Sequence, residues 1–325
     1  YLRIYFLGVP ALVVYNFGSA LLRAVGDTRR PLFFLVIAGV INVLLNLFFV
    51  IVCGMEVAGV ALATAISHTI SAALILRTLS VTREAYRFNL KKLYVDWKIF
   101  FEMLKIGIPA GVQSSCFAIS NMIIQSSINS FGSLAMAGMT AALGVEGIVY
   151  VGSFSFHQTA ISFVAQNLGG KKFKRIQRSL FDCFFCACLC NLILGEGFYL
   201  FGEQVLRIFN PNPEVIAWGL LRMKILFTTY FLCGIMDVAS GGLRGLGYSF
   251  LSAVITLFGA CVFRVWWVFE IFPHYRTMEN LLLSYPISWL LVAILNSALL
   301  YWVCRRLFRS QRWKGGRIGG VGRPA

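Results

Sequence analysis

The feature that most constrains this chain is a succession of uninterrupted apolar blocks, each about 20 residues long, separated by short polar connections. A hydrocarbon core of roughly 30 Å is crossed by about 20 apolar residues in a helix, which satisfies its own backbone hydrogen bonds where no water is present. Nine such blocks occupy residues 5–22, 31–52, 58–79, 107–131, 134–164, 180–201, 215–238, 249–272 and 281–303. The fourth, "GVQSSCFAISNMIIQSSINSFG", is rich in Gln, Ser and Asn, and its length and neighbours place it with the others. A barrel is excluded, because its strands are alternating segments of roughly 10 residues. With 58% hydrophobic and 13% charged residues, the chain falls outside the usual soluble balance of about 25% charged. The expected class is an all-α polytopic membrane protein with about nine transmembrane helices.

Charge then orients the spans. Basic residues accumulate in short cytoplasmic loops, and here most of the 29 lysines and arginines fall in alternate connections: Arg23 to Arg30, Arg77 to Lys105, "KKFKRIQR" at Lys171 to Arg178, Arg244, and the tail after Arg305. The net charge of +16 is accounted for by topology, so no nucleic-acid partner is expected. The predicted protein is a monomeric, multi-pass component of the cell (plasma) membrane, solvated by the lipid bilayer, with a cytoplasmic C-terminus. An odd number of spans then starts Tyr1 outside, which is expected of a chain lacking earlier helices.

The knot "SALLRAVGDTRRPLFF" has a counterpart. An offset of 221 positions lays "LRIYFLGVPALVVYNFGSALLRAVG" over "MKILFTTYFLCGIMDVASGGLRGLG" without a gap, so that Ser19 meets Ser240, Arg23 meets Arg244 and Gly26 meets Gly247. An internal repeat of this kind is common in transporters. It predicts a tight cytoplasmic turn once per half, with Arg23, Gly26, Arg244 and Gly247 as structural turn residues, since glycine adopts positive φ without strain.

Ionisable groups inside a membrane are costly and face cavities or partners. Glu146 and Asp237 are therefore the leading candidates for substrate or ion binding, either as exchangers of H+ or Na+ or as members of helix-bracing pairs. Glu146 ranks first because it lies deeper and has fewer polar neighbours in sequence. Gln113, Asn121, Gln125 and Asn129 recur at multiples of four and form either an interhelical seam or a cavity wall. Tyr150, with Phe154, Phe156 and Trp289, offers aromatic surface to a flat cation. Arg264 and Glu270 share a helix and are placed to pair with each other or with another span. His68 and His157 lie in or beside spans. The cysteines of "CFFCACLC" are scattered around a helix by its 3.6-residue turn, so no metal site, cofactor or disulfide framework is expected. No nucleophile, P-loop or metal-ligand pattern points to an enzyme.

Several stretches together resemble the multidrug and toxic compound extrusion (MATE) transporters: "LLRAVGDTRRP" followed by "NVLLNLFFVIVCGMEVAGVALATAIS", then "KIGIPAGVQSS", "FVAQNLGGKKFKR" and "SGGLRGLG". The resemblance implies two lobes of six helices that rock between inward-open and outward-open states, of which this chain would lack the first three helices. On that reading, residues 1–79 are the second half of the N-terminal lobe, 80–104 an inter-lobe linker, 105–305 a six-helix C-terminal lobe and 306–325 a basic tail. The implied function is a secondary active antiporter that exports small amphipathic, often cationic drugs or metabolites in exchange for H+ or Na+. A lipid-linked saccharide flippase of the same superfamily and a transport-inactive fragment are the alternatives. One branch of the family places a carboxylate early in the first helix of this lobe, where this chain has "GVQSSCFAIS", so the coupling ion is left open.

Overall fold

A computed structural model describes residues 2–84, 86–89 and 94–318, with side chains through residue 307. Every regular element among the described residues is helical. Two compact units divide at Asp96 and Trp97.

The first unit holds α1 (Leu2–Ala24), α2 (Arg29–Leu47, prolonged by a π-helical turn, Phe48–Val52) and α3 (Glu56–Val81). Helices α1 and α2 both pack on α3. Their joint is polar as well as apolar: Asn42 on α2 donates to the Ser67 hydroxyl on α3 at 3.3 Å, and the Tyr15 hydroxyl on α1 donates to the Pro31 carbonyl on α2 at 2.9 Å. Such bonds hold helices together in lipid, where apolar contact by itself carries no hydrophobic preference.

The second unit begins with α4 (Trp97–Asn129), α5 (Ser133–Gly169) and α6 (Phe173–Leu200). There follow the short α7 (Gly202–Phe209), α8 (Pro213–Phe227) and α9 (Tyr230–Gly245). A single span, Ser249–Ile271, is built from α10 (Ser249–Thr256), a π turn, α11 (Phe263–Trp266) and a second π turn. The last helix is α12 (Met278–Ile318). Helix α9 lies at the centre, against α5, α6 and α12. Its glycine-rich face makes this possible: a Cβ on Gly241 would stand 2.5 Å from the carbonyl oxygen of His157 on α5.

Among the described residues, seven helices are long and apolar enough to cross a membrane, or eight if the bent pair α8–α9 is one span. Helix α4 has the length and falls short on hydropathy, as its amides anticipate. The block at 215–238, counted from sequence as one span, is broken and bent by 47°. At the break, the hydroxyls of Thr228 and Thr229 donate back to the carbonyls of Lys224 and Ile225, each at 2.7 Å. Such back-bonding competes with the helical ladder and bends helices. Upstream, Asn212 caps α8 by accepting from the Glu214 amide at 2.9 Å, with Pro213 in the first turn, where its missing N–H costs nothing.

Large apolar side chains remain exposed on the outer faces, Leu32, Phe33, Phe181 and Ile294 among them. Water would not tolerate that much contiguous apolar surface on a monomer, and a bilayer requires it. The molecule is a multi-pass membrane protein.

The two repeated turns have the same geometry. Gly26 and Gly247 adopt φ of 90° and 87°. Gly26 donates its N–H to the Arg23 carbonyl and Asp27 to that of Leu22; Gly247 donates to Arg244 and Tyr248 to Leu243, at 2.9–3.0 Å. Both are Schellman endings, in which a left-handed glycine folds the chain back onto the last helical carbonyls.

Candidate functional site

The second unit lines a half-open cavity of about 480 Å³, within the size range of small-molecule sites. Helical periodicity assembles its wall. Glu146, Tyr150, Phe154 and His157 follow one another at steps of three or four along α5, and Tyr230, Cys233, Asp237, Ser240 and Arg244 do so along α9. Helix α4 adds Gln113, Phe117 and Asn121; Thr256 and Arg264 come from the span between α9 and α12; and α12 gives Tyr285 and Trp289.

Glu146 does not stand alone. Arg222 on α8 donates to its Oε2 from Nε at 3.0 Å and from Nη2 at 2.7 Å, and the arginine and the glutamate are 3% and 8% exposed respectively. Charge-assisted hydrogen bonds of this length are among the strongest a protein makes. The sequence-based ranking of Glu146 above Asp237 rested on neighbours along the chain, and its partner lies 76 positions away. Arg222 was missed; the available signal was a charged side chain inside the apolar block at 215–238.

Asp237 is placed differently. Its Oδ2 is buried without a hydrogen-bond partner, as is Nε of Arg244. Arg244 instead donates from Nη2 to the Gln113 side-chain oxygen at 2.7 Å. The residue expected only to shape a turn therefore also lines the cavity. His157 holds α5 against α9 through its Nδ1, 2.7 Å from the backbone oxygen of Asp237.

The amide stripe divides. Gln113 and Asn121 reach the cavity, whereas Gln125 donates to Asn129 at 3.0 Å and neither lines it. Steps of four advance about 40° per repeat around a helix of 3.6 residues per turn, so the stripe has rotated away by Gln125. Of the expected aromatics, Tyr150, Phe154 and Trp289 face the cavity, and Phe156 packs against the apolar cluster around Ala160 and Cys183. Arg264 does not pair with Glu270. It donates from Nε to Ser288 at 2.8 Å and lies 4.3 Å from the centroid of the Tyr285 ring. Among the cysteines of α6, Cys183 is buried, Cys186 exposed, and Cys188 and Cys190 half-buried, which spreads them around the helix.

Similarity to known proteins extends over most of the chain. The "Probable multidrug resistance protein YpnP" of Bacillus subtilis (strain 168) is 29% identical over 264 residues, 81% of this chain and 59% of that protein. The "FAD transporter" of Shewanella oneidensis is 23% identical over 303 residues, 90% of this chain and 66% of its own length. The chain thus spans about three fifths of the length of curated relatives it matches. A solved structure, the crystal structure of MATE in complex with MaL6, superposes with a TM-score of 0.87 at 21% identity, covering 95% of this chain and 70% of that one, and so shares its fold. The MatE family model matches residues 1–48 and 109–268, and on that match the chain belongs to the MatE family.

Proposed function

We propose that this chain carries the cargo- and ion-binding cavity of a secondary active antiporter of the cell membrane, with its C-terminus in the cytoplasm. The cargo is a small amphipathic aromatic compound, exported in exchange for H+ or Na+ as two lobes rock around the cavity. The names of two relatives, a probable multidrug resistance protein and an FAD transporter, support a small organic cargo, and the aromatic side chains of the cavity wall support an aromatic one. The carrying observation is Asp237: a carboxylate on a central helix, lining an aromatic cavity, with one buried oxygen that the protein leaves without a hydrogen bond. A buried acceptor of this kind is costly unless something binds it. A proton, Na+ or the cationic group of a cargo meets that need, and because they share one site they exclude one another. Exchange follows when the lobes return more readily with either occupant than with none.

Binding tests the reading directly. An aminomethyl-substituted anthracene, titrated into the purified chain in detergent, should bind more weakly as Na+ or H+ concentration rises. Asp237→Asn, nearly isosteric, should remove that dependence and leave the chain folded. An unchanged ion dependence in the variant would exclude Asp237 as the exchange site.

A further inference from the structure

A second recess, sharing no residue with the cavity, runs between the bent α8–α9 pair and α12. It is a groove of about 340 Å³, walled by Thr228 and Leu232 on one side and by Leu283, Ile287 and Leu290 on the other, with Lys224 at its α8 end. The bend makes room for it: the Thr228 hydroxyl, donating back to the Lys224 carbonyl at 2.7 Å, turns α9 off the line of α8 beside α12. Leu283, Ile287 and Leu290 are exposed, so the groove opens on the outer surface. Lys224 is exposed next to the buried Arg222 and Met223, which sets its side chain on the same surface. Among the described residues that line the groove Lys224 alone is charged, and none of the described carboxylates lies within ion-pair distance of it. From Lys224 to the turn at Gly247 the helical path is about 35 Å at 1.5 Å per residue, close to the thickness of the hydrocarbon core. The ammonium therefore stands at headgroup level on the side opposite that turn, and the groove runs inward beneath it. The offset that aligns the two turns also lays Arg3 over Lys224, so each half carries a cation at this height.

We propose that this groove holds one anionic phospholipid, its phosphate on Lys224 and one acyl chain laid inward between Leu232 and Leu290. A net-neutral phospholipid brings the same chain and a phosphate, but its own cationic group offsets the attraction of Lys224. A lipid of net negative charge keeps that attraction whole. A free phosphate has no chain to place against the apolar walls. The bound chain touches α8, α9 and α12 at once, so the lipid braces the bend.

The test places the purified chain in phosphatidylcholine vesicles with a trace of one of two probes, phosphatidylglycerol or phosphatidylcholine, each carrying the same diazirine on an acyl chain. After irradiation the labelled residues are mapped, with the exposed α2 face at Val40 and Leu44 as the internal reference. Relative to that face, the phosphatidylglycerol probe should label Leu232, Leu283 and Leu290 roughly fivefold more than the phosphatidylcholine probe. Lys224→Gln should bring the two probes level, and Lys224→Arg, which keeps the charge, should restore the difference. Ile287→Trp fills the groove and should lower labelling there while α2 keeps its own; this variant decides the matter if Lys224→Gln fails to fold. Equal labelling by the two probes in the unmodified chain overturns the proposal, as does a preference that survives Lys224→Gln or labelling that Ile287→Trp leaves intact. Loss of groove labelling on adding glycerol phosphate would show a site for a free anion and would overturn the lipid assignment.

Discussion

Glu146 and Arg222 form a pair whose value depends on both members remaining. Each is almost fully buried, and the 2.7 Å contact compensates two desolvated charges. Removing one partner of such a pair leaves the other uncompensated, at a cost of about 3–5 kcal/mol, whereas removing both is far milder. Glu146→Gln should therefore lower the melting temperature of the protein in detergent well below that of the Glu146→Gln, Arg222→Gln double variant. Equal melting temperatures for the single and double variants would show that the pair is not the bracing contact described here. Asp237 should behave in the opposite way, since its unpartnered oxygen contributes nothing to holding α9 in place, and Asp237→Asn should be nearly neutral for stability. Both carboxylates were legible as intramembrane acids. Their different surroundings were not, because Arg222, Gln113 and Arg244 are brought to the cavity by the packing of separate helices.

At the level of the helices, two glycines carry separate constraints. Gly247 ends α9 with φ of 87° and open space around its Cα, so the cost of a side chain there is purely conformational. Gly247→Ala should cost about 1 kcal/mol, and Gly247→Asn less, since asparagine visits the left-handed region more readily. Thermal unfolding in detergent measures both. Gly241 has the reverse problem: its backbone is ordinary helix, and a side chain there meets the His157 carbonyl. Gly241→Val should push α9 off α5, lengthen the contact of His157 with the Asp237 backbone and destabilise the protein by about 1–3 kcal/mol, as overpacking does. Retention of full stability in Gly241→Val would mean that α5 and α9 are not packed as closely as described. The repeat predicted the first glycine, through its match to Gly26. It gave no sign of the second, because the matching position in the first copy is Ala20, and the neighbour that crowds Gly241 comes from another helix.

For the whole molecule, the bent pair α8–α9 decides the topology. If it crosses the membrane as one broken span, the α9–α10 turn lies on the same side as the lysine-rich α5–α6 turn; if it re-enters, the two turns lie on opposite sides. The positive-inside pattern favours a crossing. In a background without other cysteines, Lys171→Cys and Tyr248→Cys should both be labelled by an impermeant maleimide only from the cytoplasmic face, and Asn210→Cys only from outside. Labelling of Tyr248→Cys from outside would identify a re-entrant hairpin and reverse the orientation of α12.

Block length, charge placement and the 221-residue offset determined that this chain is helical, spans a membrane repeatedly and repeats a glycine-ended turn, because each depends on the solvent and on the local backbone. The bend at Thr228 and Thr229 also had a local cause, although threonines serve many straight helices and so do not announce it. Tertiary structure decided which polar groups meet: Glu146 with Arg222, Arg244 with Gln113, and Arg264 with Ser288 and Tyr285. It also separated Gln113 and Asn121, on the cavity, from Gln125 and Asn129, turned away from it. The physical reason is one of range. Hydropathy and φ preference act within a helical turn, whereas a buried charge is satisfied by whichever side chain the packing of distant helices brings within about 3 Å.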